Sequence, residues 1–140
     1  MMREVARVRV IYGDTDQMGI VYYANYLRWF EVARNEYLRA AGQSYRTFEA
    51  SAGLFLPVVE AHVAYHRPAR YDDLLSIEAE LPEAGIKRAS ARFEYVIRKD
   101  ADKVASGYTV HACTTREGRP TRIPGDLLAA LRAANLQGGQ

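Results

Sequence analysis

Two aspartates one residue apart, Asp14 and Asp16, are the residues of this sequence whose type and spacing best suit chemistry. They precede Gly19 and the start of an apolar helical pattern at Asn25. Backbone N–H groups at the start of a helix have no intrahelical acceptor and carry partial positive charge. The segment 12–26 therefore predicts a carboxylate beside a site that binds an electrophile, where the N–H groups would stabilise a developing oxyanion.

The same two aspartates also have simpler interpretations. They could cap turns in a connecting loop, which is the ordinary role of Asp in such segments. A calcium loop counted from Asp14 fails, because Met18 and Asn25 occupy the fifth and twelfth positions, where oxygen ligands are required. An Asp-x-Asp metal site of the sugar-transferase kind is expected in a much larger domain. We therefore expect no metal in this segment.

An expected strand and an expected helix flank the segment. Residues 5–12 have an apolar series at Val8, Val10 and Tyr12 that alternates with Arg7 and Arg9 before Gly13, which predicts a strand. Residues 25–41 predict one long amphipathic helix, with Asn25 suited to the N-cap and Gly42 to the C-terminal stop. Its apolar residues recur at three- and four-residue steps, at Tyr26, Leu27, Phe30, Ala33, Tyr37, Leu38 and Ala41. Charged residues fall elsewhere, among them Arg28, Glu31, Arg34 and Arg39.

The second half of the chain has the period-two alternation of strands. Four apolar series are expected, at Val59–Tyr65, Leu75–Leu81, Ala91–Ile97 and Val104–Ala112, the last through Ser106, Tyr108 and Val110. A helical turn is expected near Tyr45 to Ala50, and a short C-terminal helix from Pro124 to about Asn135. One helix cannot cover both faces of five strands. The pattern predicts an α+β fold, with a five-stranded antiparallel sheet curled round the long helix and apolar surface left over for dimerisation.

Length, charge and cysteine content limit the classes of protein. The chain has 140 residues, which suits a single domain over 1–140. Its net charge is +2 with dispersed basic residues, which argues against nucleic-acid binding. Neither a signal-peptide core nor a membrane-length apolar segment is found, so we expect a cytoplasmic protein without membrane insertion. Cys113 is the only cysteine, which rules out an intramolecular disulfide or a cysteine zinc cluster.

The order of residues in the loop resembles a known signature. The matching elements are Arg9-Val10, Thr15-Asp16, Gly19-Ile20-Val21, an aromatic pair and Asn25-Tyr26. They are similar to the active-site signature of the 4-hydroxybenzoyl-CoA thioesterase family of hotdog-fold proteins. Residues 30–34 and 68–73 are similar to stretches in the Tol-Pal-associated bacterial branch. The resemblance spans residues 5 to about 115, and implies a hotdog fold, an acyl-CoA substrate, no cofactor and a homodimer or homotetramer.

The resemblance also implies roles for residues of the loop. Asp16 would be the nucleophile or general base, and the backbone N–H of Tyr23 would polarise the thioester carbonyl. Gly19 and Val21 would belong to the substrate-binding segment. Many members of the family carry His at the position of Tyr23, so no side-chain role of that His transfers to this chain. Asp14 is expected to shape the loop, and the sequence does not separate direct attack by Asp16 from activation of water.

Three further groups are candidates outside the loop. Glu31 occupies the family's recurrent helix acid and is expected either to line the acyl pocket or to pair with a neighbouring arginine. Lys87 and Arg88 follow a glycine turn, where family members carry basic residues, and could bind the phosphates of coenzyme A. Arg116, Arg119 and Arg122 form a weaker candidate for phosphate binding. The three histidines, His62, His66 and His111, are expected to be surface or hydrogen-bonded residues rather than metal ligands.

Two other functions compete with thioester hydrolysis. A hotdog hydroxyacyl-thioester dehydratase would use the same carrier, but it needs a His with an acidic partner, and the first helix region holds no His. A non-catalytic acyl-CoA-binding domain would bind the thioester without cleaving it. The intact Asp16 argues against that alternative.

Overall fold

The computed structural model describes residues 2–40, 42 and 53–137. The helical turn expected near Tyr45 to Ala50 lies outside the described residues. The strands are β1 (Arg3–Arg9), β2 (Leu54–Phe55), β3 (Val58–Tyr65), β4 (Leu74–Glu80), β5 (Ser90–Lys99), β6 (Asp102–Ala112) and β7 (Thr114–Thr115). The helices are α1 (Asn25–Ala40) and α2 (Gly125–Gln137), and short 3-10 turns cover Tyr12–Asp14 and Glu83–Gly85.

Five antiparallel strands form the main sheet in the order β1-β4-β5-β6-β3, and β2 pairs with β7 separately. Helix α1 packs on one face of this sheet, and α2 packs beside α1. The predicted α+β class, with one long helix and a short C-terminal one, is confirmed. The first strand begins earlier than predicted, at Arg3. It also ends earlier, at Arg9, because Tyr12 belongs to a 3-10 turn.

Strands β4 and β5 bury alternate residues against α1, as their sequence pattern predicts. Leu75, Ile77 and Ala79 are buried on β4, and Ala91, Phe93, Tyr95 and Ile97 on β5. The Phe30 ring of α1 stacks on the Tyr95 ring with centroids 4.3 Å apart. Stacked rings and tight packing of this kind hold the helix axis against the centre of the sheet. Gly107 of β6 permits the contact, since a Cβ there would lie 2.9 Å from the Phe30 ring.

Strand β6 faces the opposite way from the prediction. Tyr95 pairs with Gly107 and Phe93 with Thr109, and directly paired residues share a face of the sheet. The core face of β6 therefore carries the odd-numbered residues from Ala105 to His111, not the series from Ser106 to Ala112. Because a shift of one residue reverses both faces of a strand, two polar residues, Thr109 and His111, lie inside the protein.

Strand β3 is an edge strand that keeps several apolar residues exposed. Among the residues that the structure describes it pairs with β6 alone, and Val59 is 61% exposed and Tyr65 52% exposed. An exposed apolar edge strand offers unpaired backbone groups to another strand. The expected surplus of apolar surface is therefore found on β3.

Three expectations concern the chain as a whole, namely membrane crossing, the number of domains and the oligomeric state. No helix in the described ranges combines the length and apolarity that a membrane crossing requires. The single domain over 1–140 stays a prediction, as does the dimer or tetramer.

Candidate functional site

Asp16 begins a tight turn between β1 and α1. Its N–H donates to the Ile20 carbonyl at 2.9 Å, and its carbonyl accepts the Gly19 N–H at 3.0 Å. Thr15 and Val21 form an isolated bridge at the neck of this turn. Gly19 has a φ of +79°, a conformation that residues with a Cβ adopt only with strain. These backbone contacts fix the Cα position of Asp16. The role of Gly19 is to adopt the backbone conformation that the turn requires.

The carboxylate of Asp16 is partly exposed and holds one local contact. Its Oδ1 accepts the N–H of Met18 at 2.8 Å, which is an Asx turn. No other hydrogen bond of this carboxylate occurs within the described ranges. Its second oxygen is therefore available to a water molecule or a substrate.

Both carboxylate oxygens and the backbone carbonyl of Asp14 accept hydrogen bonds from the protein. It is 5% exposed, its Oδ1 accepts from Arg28 at 2.7 Å, and its Oδ2 accepts the Ile11 N–H at 3.0 Å. Its carbonyl accepts both the Tyr22 N–H and the side-chain amide of Asn25, each at 2.8 Å. These contacts fit the expected loop-shaping role. Asn25 begins α1, and its amide ties the loop to the helix instead of making the predicted N-cap contact.

Two backbone donors lie just before α1, beside a cavity. In the part of the chain that the structure describes, the N–H groups of Tyr23 and Ala24 have no hydrogen-bond acceptor. The Tyr65 hydroxyl donates to the Tyr23 carbonyl at 3.3 Å, which ties this start to the end of β3. A cavity of about 360 Å³ opens there, lined by Ile20, Val21, Tyr23, Tyr26, Tyr65, His66, Arg67 and Pro68. Val21 and Tyr23 thus share one cavity.

Two further cavities lie between α1 and β3. One is lined by Leu27, Arg28, Glu31, Arg34, Val58, Ala61 and Thr109. The other, of about 650 Å³, is lined by Glu31, Arg34, Asn35 and residues 55–58, and it adjoins the previous one through Glu31, Arg34 and Val58. We call these three cavities together the α1–β3 groove. The cavity at Tyr23 shares no lining residue with the other two.

Glu31 and Arg34 occupy the far part of the groove. Glu31 is 63% exposed at its side chain, and its Oε1 lies 3.6 Å from Arg34 Nη2. Both expected roles of Glu31, lining a pocket and pairing with an arginine, are compatible with this position. Arg34 differs from its predicted place on the polar face of the helix, since it is only 7% exposed and points towards the sheet.

A buried chain of hydrogen bonds runs from Arg34 through the sheet. Arg34 Nη1 lies 3.4 Å from the Tyr95 hydroxyl, which lies 2.6 Å from Thr109 Oγ1. Thr109 Oγ1 lies 2.8 Å from His111 Nε2, and His111 Nδ1 lies 2.9 Å from the Leu56 carbonyl. A carbonyl can only accept, so the Nδ1–H of neutral His111 donates to Leu56 and its Nε2 accepts from Thr109. Each group in the chain then donates a hydrogen bond to the next, from the Arg34 guanidinium to the Leu56 carbonyl.

Burial keeps His111 neutral in this chain. Desolvation lowers the pKa of His111 to about 4, against a weaker opposing effect of the Leu56 carbonyl. Burial also raises the pKa of the Tyr95 hydroxyl, so that it remains a donor. Sequence reasoning missed this network because it assigned the wrong face of β6 to the core. The signal available was the register with β5, whose apolar series pairs with Thr109 and His111.

The low pKa of His111 predicts a loss of stability in mild acid. An unfolded chain binds a proton at His111 near pH 6.5, whereas the folded chain resists it until about pH 4. Stability from this group is therefore complete above pH 6.5 and falls as pH decreases. Between pH 7 and pH 5 we expect the free energy of unfolding to fall by about 2 kcal/mol from this residue. Urea unfolding of wild type and His111→Gln at both pH values measures the difference, and an equal fall in the two proteins would contradict it.

Lys87 and Arg88 lie far from the loop within one chain. The Lys87 N–H donates to Ser90 at the beginning of β5, where both basic side chains are exposed. The loop packs near Tyr65, which pairs with Ala105 and through it with Ile97. Seven strand residues separate Ser90 from Ile97, or about 24 Å. One subunit therefore does not bring this basic pair to the carboxylate loop.

Within the ranges that the structure describes, the remaining nucleophiles and bases do not form a competing centre. His66 Nε2 lies 2.7 Å from Ser106 Oγ, so the histidine in the first cavity has a hydroxyl partner and not the carboxylate that a dehydratase requires. His62 stacks on Tyr108 at 5.4 Å. Cys113 is buried, and burial raises the pKa of its thiol, which suits a packing residue rather than a nucleophile.

The sheet curled against α1, with the carboxylate loop at the helix start, is the architecture of hotdog-fold thioesterases. The chain belongs to the thioesterase-like superfamily, whose pattern matches residues 10–131. It is 35% identical to the acyl-CoA thioesterase YbgC of Haemophilus influenzae, over 88% of this chain and 90% of that protein. It is 34% identical to the 1,4-dihydroxy-2-naphthoyl-CoA hydrolase of Synechococcus elongatus, over 79% and 82% of the two chains. The structure superimposes on the hypothetical protein TT1821 of Thermus thermophilus with a TM-score of 0.86 and 34% identity, covering 96% and 98%.

These similarities confirm two predictions made from the sequence. The fold is the hotdog fold, and the chain is an enzyme of the thioesterase class.

Proposed function

We propose that this enzyme hydrolyses acyl-CoA thioesters to a free acid and CoA. Two relatives that align with most of the chain are named for the hydrolysis of CoA thioesters. The observation that carries the proposal is the loop, where the Asp16 carboxylate precedes a helix start whose Tyr23 N–H lacks an acceptor among the described residues. A thioester carbonyl requires both groups, one to supply a nucleophile and the other to stabilise the oxyanion.

The proposed reaction can proceed from Asp16 in two ways. As a general base, Asp16 takes a proton from water, the hydroxide adds to the carbonyl carbon, and the C–S bond breaks to release CoA thiolate. The proton then leaves Asp16 for the thiolate or the solvent. As a nucleophile, Asp16 displaces the thiolate to form a mixed anhydride, which water hydrolyses. In both routes the N–H of Tyr23 donates to the carbonyl oxygen while negative charge develops on it.

The finer family placement is also a proposal. The signature from Arg9 to Tyr26 supports membership of the 4-hydroxybenzoyl-CoA thioesterase family, and residues 30–34 and 68–73 support its Tol-Pal-associated branch. Gly19, Val21 and Glu31 are proposed to belong to the substrate site, since Val21 and Glu31 line the groove and Gly19 shapes the turn. The cytoplasmic location and the lack of a cofactor stay predictions.

We propose that the active unit is at least a homodimer. The support is β3, which has one strand neighbour in the described part of the chain and keeps Val59 and Tyr65 exposed. Antiparallel pairing of two copies of β3 would satisfy its free edge and cover its apolar side chains. It would also roof the α1–β3 groove, whose β3 wall lies at that edge.

The dimer gives the basic pair a role that one subunit does not allow. Antiparallel pairing sets the start of β3 in one copy beside the end of β3 in the other. The β5 start lies at the same end of the sheet as the β3 start, because Val58 and Ala91 both pair with His111. Lys87 and Arg88 of a second copy would therefore lie on the side of the carboxylate loop, where they could bind the phosphates of CoA.

A thiol-release assay tests the proposed hydrolysis against the alternatives. Purified protein incubated with a panel of acyl-CoAs should release free CoA at a rate that saturates with substrate. A dehydratase would instead change the absorbance of a 3-hydroxyacyl-CoA or an enoyl-CoA without releasing thiol. A non-catalytic domain would bind acyl-CoA in calorimetry and release none. Either of these results would refute hydrolysis.

A further inference from the structure

We propose that Tyr65 is a positioning residue of the oxyanion site. Its hydroxyl sets the direction of the Ala24 N–H, which then donates to the thioester carbonyl beside the Tyr23 N–H. The inference rests on the proposed function, because it takes the segment before α1 as the place where the thioester carbonyl binds. It goes further by assigning roles to Tyr65 and Ala24, for which the proposed hydrolysis has no use.

Two consecutive N–H groups, those of Tyr23 and Ala24, are free just before α1. Neither has an acceptor within the described residues, whereas the next N–H, that of Asn25, donates to a backbone carbonyl at 2.9 Å. Successive backbone N–H groups can bind one anionic oxygen together. A carbonyl in the cavity that Tyr23 lines would therefore meet two donors, and both would stabilise the charge that develops on its oxygen.

The Tyr65 hydroxyl acts on Ala24 through a single peptide group. It donates to the Tyr23 carbonyl at 3.3 Å, and that carbonyl shares a planar peptide unit with the Ala24 N–H. Because the C=O and N–H of a trans peptide point in opposite directions, holding the carbonyl fixes the direction of the N–H. A hydrogen bond to the carbonyl also polarises the peptide unit, which makes its N–H a stronger donor.

The backbone alone holds this peptide group loosely. Its carbonyl accepts the Tyr26 N–H at 3.4 Å, whereas the carbonyl of the preceding peptide accepts the Asn25 N–H at 2.9 Å. Among the described residues, Tyr65 supplies the one side-chain donor to the Tyr23 carbonyl. Loss of that donor would leave the peptide group with one long bond, and the Ala24 N–H would be free to turn away from the substrate.

The sheet and a buried ring hold Tyr65 itself in place. Its backbone pairs with Ala105 of β6, and its ring meets the Tyr26 ring edge-on with centroids 5.5 Å apart. Tyr26 is only 3% exposed, so the Tyr65 ring is supported by a fixed neighbour. Both rings line the same cavity as Tyr23. The hydroxyl thus connects the end of β3 to the backbone that would bind the carbonyl.

Tyr65→Phe removes the hydroxyl and keeps the ring. We expect kcat for the best acyl-CoA to fall by about 5- to 10-fold, the worth of one hydrogen bond, while KM changes by less than about twofold. Tyr108→Phe is the matched control, because its hydroxyl donates to Glu60 at 2.6 Å and it is not among the residues that line the cavity. It should leave kcat unchanged. An unchanged kcat in Tyr65→Phe, or an equal fall in both variants, would overturn the inference.

A binding measurement separates positioning from damage to the fold. The probes are two analogues of the best acyl-CoA in which a methylene replaces the thioester sulfur. One keeps the carbonyl as an isotopically labelled ketone, and the other has a methylene in its place. On binding to the wild-type protein, the infrared stretch of the ketone should move to lower frequency, because each N–H donor weakens the C=O bond.

Tyr65→Phe should reverse part of this infrared shift and weaken binding of the ketone alone. The analogue without a carbonyl makes no contact with the N–H groups, so its affinity should stay the same. An unchanged carbonyl stretch, or equal losses of affinity for the two analogues, would contradict a positioning role.

A second substitution tests whether Tyr65 acts through Ala24. Ala24→Pro removes an N–H that has no acceptor within the described residues, at a helix start where proline is tolerated. It should lower kcat at least as much as Tyr65→Phe does. In the Ala24→Pro background, Tyr65→Phe should then cause little further loss. A full further loss would make the Tyr65 hydroxyl a direct donor to the substrate and would overturn the positioning role.

Failure of the inference is distinguishable from failure of the proposed function. Thiol release that Tyr65→Phe leaves unchanged would refute the role of Tyr65 and leave hydrolysis intact. A carbonyl shift that depends on Tyr65, without thiol release from any acyl-CoA, would refute hydrolysis and leave the roles of Tyr65 and Ala24.

Discussion

Asp16→Asn is expected to lower kcat by about 100-fold or more, because it removes the only proposed base or nucleophile of the reaction. The substitution preserves the local structure, since an Asn Oδ1 can accept the Met18 N–H as the Asp Oδ1 does. Its melting temperature should therefore match that of the wild type. The measurement is the steady-state rate of thiol release with the best acyl-CoA, together with thermal unfolding of both proteins.

Asp14→Asn is the matched control for this prediction. It makes the same chemical change two residues away, but it places an amide among the donors of Arg28 and Ile11 in a buried position. We expect it to cost about 1–3 kcal/mol of stability and to retain more activity per folded molecule. A twofold loss of kcat in Asp16→Asn, or a larger loss in Asp14→Asn, would remove Asp16 from the centre of the mechanism.

The elements whose two faces differ strongly in polarity could be predicted from the sequence. Helix α1 was expected at 25–41 and lies at Asn25–Ala40, because its apolar residues recur with the helical period. Strands β4 and β5 alternate as predicted, because one face is covered by α1 and the other is not. The loop between β1 and α1 was also identified, since Gly19, a carboxylate and a helix start together restrict its conformation.

Strand β6 shows where sequence reasoning failed. Both of its faces carry residues of mixed polarity, so the period of two was clear but the buried face was not. Only the pairing with β5 sets the face, and pairing is a property of the folded sheet. The burial of Arg34 depends on the same strand register, because Arg34 binds the Tyr95 hydroxyl, and that hydroxyl is hydrogen-bonded to Thr109 of β6. The sequence of the helix does not show that the charged side chain of Arg34 meets a buried hydroxyl.

The basic pair shows a second limit of sequence reasoning. Its residue types suit phosphate binding, but the sequence does not reveal which end of the sheet they occupy. The structure sets Lys87 and Arg88 just before β5, about 24 Å of strand from Ile97, which lies at the end of the sheet nearest the carboxylate loop. A role in CoA binding therefore depends on a second copy of the chain, and this dependence can be tested directly.

Reversal of the basic pair, Lys87→Glu with Arg88→Glu, should raise KM for acyl-CoA and leave kcat nearly unchanged. Contacts to the nucleotide lie far from the scissile bond, so they stabilise substrate and transition state about equally. The effect should diminish in high salt, because exposed charges are screened. Acyl-pantetheine lacks the nucleotide and serves as the control substrate. Its KM should hardly change, and an equal loss with both substrates would point to Arg116, Arg119 and Arg122 instead.

A mixed dimer should show a combination of high kcat and low KM that neither variant shows alone. Subunits carrying Asp16→Asn and subunits carrying the reversed pair are given different affinity tags, and only dimers that carry both tags are purified. If each site combines Asp16 of one subunit with the basic pair of the other, one of the two sites in the mixed dimer contains no substitution. The mixed dimer should then show about half of the wild-type kcat at the wild-type KM.

A site contained within one subunit predicts a different result for the same sample. One site would lack the Asp16 carboxylate and the other would lack the basic pair, so no site would be intact. The mixed dimer would then retain the high KM of the reversed-pair variant at every enzyme concentration. Dilution of the wild-type protein completes the test, because a site shared between subunits must lose specific activity as the dimer dissociates. A fully active monomer in sedimentation and kinetics would refute the shared site.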